Sequence, residues 1–319
     1  MSPQDIALEA ENLWETAFSE IGWNNQHSQK FQEFLSSKRR AAQVEIRQNM
    51  QPWLHILEDS IQWLAAVTHL LDDANEDELL DDAGRSILVL VGAACAHSVA
   101  IRELVLSGLD SSARATARAL DEHLCAALAF LHDQELGRNF GNCSTDEEIN
   151  SFWYKNLGTK SMKKYLNAIE RKAKIPQMVS EAMRDVRDSE ISDFSKIVHP
   201  SYVGASFTAY ALGAKDPGTY GLAMLGRASC FSERTLRNAC QTIVYFSMLG
   251  IRQLFGMDEC KTKIVSFNQE NNDHQLVIIG AHVLQNISLK YWDYQIYPNS
   301  SQEPQGDYRE PSLRYREEK

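Results

Sequence analysis

SILVLVGAACAHSVAI, residues 86–101, runs sixteen positions without a formal charge and leads almost directly into LVLSGLDSSARATARALDEHLCAALAFL, residues 104–131. The first stretch is apolar nearly all round, as a helix at the centre of a fold would be. It contains His97 and two serines and falls short of the ~20 residues a membrane span needs, so no membrane is expected. Gly108-Leu109-Asp110-Ser111 then turns the chain, with Asp110 or Ser111 as N-cap. On the next helix Leu120, Leu124, Leu128 and Leu131 form one stripe, and Arg114, Arg118 and Glu122 form another four residues apart.

Helical spacing continues on both sides of this pair. Ser2, Pro3 and Asp5 read as N-cap, first helical residue and first-turn acid. Ile6, Leu13, Trp14, Ala17, Phe18 and Ile21 follow as an amphipathic helix closing near Gly22. A second long pattern spans about 27–71 and should break or kink at Pro52. Residues 72–82 hold seven acids in eleven positions, a run that repels itself and reads as a solvated connection or helix start. Further helices are expected from about 232 to 255, closed by Gly256, and over 276–292. Only 203–224, with its Asp216-Pro217-Gly218-Thr219 turn, invites strand. Division into an N-terminal helical region (1–72), a helical core domain (83–293) and a mobile C-terminal tail (294–319) follows from these breaks.

Composition agrees. Sixteen glycines and eight prolines among 319 residues are too few for a turn-dense all-β protein. A net charge of −11 excludes a surface that coats nucleic acid throughout. Charge is uneven, however: 155–174 carries seven cations against Glu170 alone. Lys160, Lys163, Lys164, Arg171 and Lys172 there are candidate nucleic-acid contacts, or simply a solvated helix face. The six cysteines form no CxxC pair, and residues 1–5 lack a basic or apolar leader, which together predict reduced thiols in a cytoplasmic protein. No phosphate-cradling glycine loop, HExxH or GxSxG occurs. His274 and His282 lie about 12 Å apart along a helix, too far for one ion. Neither metal nor cofactor is therefore expected.

What remains is Arg114-x3-Arg118-x3-Glu122-His123 and, later, His199-Pro200-Ser201, where Pro200 should end a helix at the imidazole. Residues 104–131, with FSKIVHPSY at 194–202, resemble an uncharacterised group of bacterial all-helical proteins akin to the HEPN superfamily. That group carries an Arg-x3-Glu helix after a turn and a later His-Pro-Ser. The resemblance implies an all-α, multi-helix bundle of HEPN-like type, with at most one short β-hairpin, in a toxin–antitoxin or phage-defence system. Metal-independent HEPN ribonucleases carry Arg-x4-6-His, and Arg118 to His123 reads Arg-x4-His. By that resemblance Arg118 would hold the scissile phosphate of RNA and His123 would move the 2′-hydroxyl proton at a homodimer interface, with Glu122 and His199 beside them. The competing reading is a self-associating, non-catalytic interaction module, docking on a protein partner, in which Arg118, Glu122 and His199 form a structural network. Arg118 and Glu122 stand in the less favourable order for an intrahelical pair, which points Arg118 towards partners elsewhere.

Overall fold

The computed structural model describes residues 2–22, 25–175, 177, 179–185, 187, 188, 210–212, 220–222, 230–257, 263–292 and 294–296. Among them the chain is an all-α bundle: α1 (Pro3–Ser19), α2 (Asn25–Asn49), α3 (Gln51–Glu76), α4 (Asp82–Leu106), α5 (Asp110–His132), α6 (Gln134–Gly141), α7 (Asp146–Phe152), a π-helical turn (Trp153–Leu157), α8 (Thr159–Ala173), α9 (Cys230–Leu254) and α10 (Asn272–Lys290). Residues 179–185 are also helical. A hairpin falls within the expected 203–224 region, β1 (Tyr210–Leu212) pairing antiparallel with β2 (Tyr220–Leu222). The Pro217-Gly218 turn, the His-Pro-Ser segment and the tail from 297 onward lie outside the described residues.

Local chemistry accounts for the breaks. At the N-terminus the Asp5 N–H donates to Ser2 Oγ (3.2 Å) and the Ser2 N–H to Asp5 Oδ2 (2.7 Å), two donors satisfied reciprocally. Pro52 occupies the first turn of α3, where its missing N–H costs nothing, and the chain bends at fully buried Met50 between α2 and α3. The acidic run divides between the last turn of α3 and the start of α4. There Asp81 is the N-cap, accepting from the Gly84 N–H (2.9 Å) and pairing with Arg138 of α6 (2.8 Å). Gly108 (φ +72°) and Gly256 (φ +61°) close α4 and α9 in the left-handed conformation that glycine adopts without steric penalty. After α4, the Gly108 N–H reaches Val105 O and the Leu109 N–H reaches Leu104 O, both at 2.8 Å. α5 therefore starts one residue early, with Leu109 in the N-cap position and no side-chain cap. The expected capping residue Asp110 instead accepts from the Ser232 hydroxyl of α9 (2.9 Å).

α5 occupies the middle, packed against α4, α6, α8 and α9, and the stripe Leu120, Leu124, Leu128 and Leu131 is at most 1% exposed. α4 was the expected centre. It does pack on α2, α3, α5, α6 and α9, but Val89 (64% exposed), Ala96 and Val99 (44%) leave one strip of it open. Among the described residues α4 alone is long and apolar enough to cross a membrane. α3 joins α4, α9 and α10, so the expected boundary after residue 72 falls inside a helix whose buried face belongs to the same core as α5. α1 is amphipathic as expected, yet its apolar side chains Ile6 and Leu13 are 55% and 64% exposed.

The α3–α10 contact is close. A Cβ on Gly280 would lie 2.7 Å from Trp63 Cδ1, and the Trp63 indole is already held by its bond to Val277 O (2.8 Å). Gly280→Ala is expected to lower unfolding stability by about 1–3 kcal/mol in urea denaturation. Gly92→Ala, whose new methyl would meet Thr68 Cγ2 at 3.6 Å, should be neutral or stabilising.

Candidate functional site

α5 carries most of the polar side chains that sequence reading singled out. With 100° per residue, Arg114, Arg118, Asp121 and Cys125 fall within an arc of about 60°, while His123 lies about 140° round from Arg118. The two residues of the Arg-x4-His pattern thus look out from different flanks of one helix. Arg118 Nε donates to Glu122 Oε1 (2.9 Å), so the intrahelical pair forms despite its less favourable order and corrects the expected partner elsewhere. His199 lies outside the described residues. Arg114 is 3% exposed, with its guanidinium 4.6 Å from the Phe231 ring of α9, so it bridges helices inside the fold.

Beyond Arg118 the same flank enters a buried ionic cluster that sequence reading did not anticipate. Arg187 sits 3.5 Å from Asp121 Oδ1 and stacks over the Tyr245 ring of α9 at 4.6 Å. The Tyr245 hydroxyl donates to Glu170 Oε1 (2.6 Å), and Arg184 Nη2 donates to Glu170 Oε2 (2.6 Å). Glu170 is 3% exposed. Burial works against the Arg187 charge but is outweighed by the Asp121 carboxylate 3.5 Å away, so the guanidinium is held protonated. Burial also pushes the Cys125 thiol and the Tyr245 phenol far up, which keeps both neutral and poor nucleophiles. This cluster ties α5, α8, α9 and the helical residues after 179 together. It fixes helix packing, since a buried charge left without its partner is costly.

On the opposite flank His123 meets His97 of α4, ring centroids 5.0 Å apart and nearly edge-to-face. His123 Nδ1 is 2.6 Å from Ala119 O, a carbonyl to which it can only donate. Desolvation, and then the like charge of His123, lower the His97 pKa. The partner of His123 on α4 escaped sequence reading because the two positions are 26 apart and only the helix packing joins them. Among the described residues no three His, Cys, Asp or Glu side chains gather as metal ligands.

α8 forms the third feature. Its apolar side, with Leu166 and Ile169, is buried against α5 and α9. Lys160, Lys163, Lys164 and Arg171 are exposed within an arc of about 100° on its outer side. Lys172 is exposed too, but points well off that arc, and Lys163 pairs with Asp188 (2.7 Å). An open cleft of about 540 Å³ lies beside the π-helical turn, lined by Leu136, Asn139, Cys143, Glu148, Phe152 and Lys155. Cys143 Sγ there is only 3.4 Å from Asn139 O, and its donor is spent on that carbonyl. Comparison with protein-family models, with curated proteins and with solved structures finds no match to this chain.

Two expectations follow. Glu170→Ala should cost about 2 kcal/mol in urea denaturation, because the buried Tyr245 hydroxyl loses its acceptor and Arg184 loses its carboxylate partner. Tyr245→Phe should cost about 1 kcal/mol, with Arg184 still on the carboxylate. For the histidines, the folded chain binds a proton at His97 less readily than the unfolded chain. Its contribution to stability is therefore present above the ordinary value of 6.5 and is lost as pH falls through and below it. In an NMR titration His97 should titrate below that value and move upward, without reaching it, in His123→Ala.

Proposed function

We propose that this protein is a non-catalytic helical interaction module of HEPN-like type that binds RNA through the outer face of α8. The observation that carries this reading is the set Lys160, Lys163, Lys164 and Arg171, aligned on one exposed face of a helix whose other side is anchored in the core. A rigid basic face inside a chain of net charge −11 gives a focused contact for phosphates while the rest of the surface repels them. The resemblance drawn above supports a role in a toxin–antitoxin or phage-defence system, with a protein partner there, and the unpaired cysteine pattern supports a cytoplasmic setting. Arg118 clasped by Glu122, and His123 on the other flank, speak against cleavage within one copy.

A second reading, metal-independent RNA cleavage, has one observation in its favour. His97 beside His123 supplies two imidazoles, one able to accept a proton and one able to return it. It needs Arg118 from a second copy to hold the phosphate.

Binding of single-stranded RNA, measured by fluorescence anisotropy across a salt series, separates these readings. Lys160→Glu, Lys164→Glu and Arg171→Glu together should weaken binding at least about tenfold and flatten the slope of log affinity against log salt by roughly two. Wild-type binding with no salt dependence, or an unchanged affinity in the triple variant, would exclude the α8 face. In a metal-free cleavage assay the RNA should stay intact. Cutting that disappears in both His123→Ala and Arg118→Ala would move the assignment to the enzyme.

A further inference from the structure

The π-helical turn between α7 and α8 sets one aromatic ring outside the fold. Phe152 and Leu157 are 8% and 4% exposed, although in an α-helix side chains five positions apart point about 140° away from each other. The i→i+5 turn brings both onto the core, where Phe152 meets Phe130 of α5 and Phe140 of α6 at ring-centroid distances of 6.4 and 5.6 Å. Tyr154, between them, is turned outward and is 81% exposed, more than any other large apolar side chain among the described residues. Its ring and hydroxyl make no hydrogen bond or ring contact among those residues.

That ring stands at the head of the basic face. Ser161 Oγ donates to Lys155 O (3.3 Å), and a Cβ on Gly158 would lie 3.0 Å from Tyr154 O, so the turn is folded tightly against the first turn of α8. Six residues separate Tyr154 from Lys160, at most about 21 Å of chain even if fully extended. From Lys160 to Arg171 the face then runs about 17 Å along the helix. Turn and helix both pack on α5, one through Phe152 and the other through its buried side, and Tyr154 and the cations lie on their exposed sides. The acids Asp146, Glu147 and Glu148 gather at the start of α7, so the positive field extends from Tyr154 along α8 and not the other way.

We infer that the RNA taken by this face is single-stranded and that Tyr154 is the platform on which one unpaired base stacks, next to the phosphates held by Lys160, Lys164 and Arg171. The inference rests on the reading of α8 given above and names the class of RNA and a further contact. A base inside a duplex already has both faces covered by its neighbours and cannot lie on an outside ring, whereas an unpaired base has a free face whatever its identity. A neutral ring beside a row of cations therefore selects strand state and not sequence.

Fluorescence anisotropy of the full chain with a mixed-sequence RNA of about twelve nucleotides, and with the same strand annealed to its complement, tests the assignment. Tyr154→Ala should weaken binding of the single strand at least about fivefold and leave duplex affinity, the salt slope and thermal unfolding unchanged. Tyr154→Phe should bind as the wild type does. A single-strand affinity indifferent to Tyr154→Ala overturns the inference, as does an equal loss on single strand and duplex, or a Tyr154→Phe as weak as Tyr154→Ala. An indifferent Tyr154→Ala alongside a weakened Lys160→Glu, Lys164→Glu, Arg171→Glu variant overturns the stacking contact alone and leaves the α8 reading standing. An indifferent triple variant, or a wild type that binds neither RNA, overturns both.

Discussion

From Leu124 to Leu131 no side chain of α5 reaches solvent, two full turns buried on every side. A helix can be sealed in that way only if neighbours stand all around it, and α4, α6, α8 and α9 are those neighbours. Their positions follow from this single requirement. The four small side chains of this stretch, Cys125, Ala126, Ala127 and Ala129, let the surrounding helices approach closely, while Leu124, Leu128, Phe130 and Leu131 fill the gaps between them.

Polar groups on the N-terminal half of α5 inherit the same geometry. Arg114 and Asp121 are recruited by Phe231 of α9 and by Arg187, while Arg118 stays partly exposed with Glu122. His123 falls on the α4 side and finds His97. The same helix thus carries a packing device on one flank and half of a histidine pair on the other, and the 140° between them is set by helix geometry alone.

How much of this could be read from the chain depends on whether the signal is local. Ser2 with Asp5, Pro52, Gly108 and Gly256 each act within a few residues, and each breaks or closes a helix where its chemistry requires. The leucine stripe of α5 was equally plain. Asp110 misled because a capping side chain and a tertiary acceptor look alike in sequence; Ser232, 122 positions on, decides between them. The Glu170–Tyr245–Arg184 and Arg187–Asp121 contacts were invisible for the same reason, and a lone acid in a basic run gave no sign of being its one buried charge. On α4 a uniformly apolar composition pointed to the centre, yet Val89, Ala96 and Val99 remain open, because apolarity permits burial without compelling it.

The bend at Met50 has a mechanical side. Met50 is fully buried, and the Arg39 Nε–Ser107 Oγ bond (3.1 Å) braces α2 against the turn between α4 and α5. With α2 anchored from Arg39 to Met50, its outer part, residues 25–38, is a lever about 21 Å long: a rotation of about 10° at the anchor carries its tip roughly 4 Å. Force applied at the outer end is delivered to Ser107, next to the start of the helix on which the charged cluster and the histidine pair are mounted.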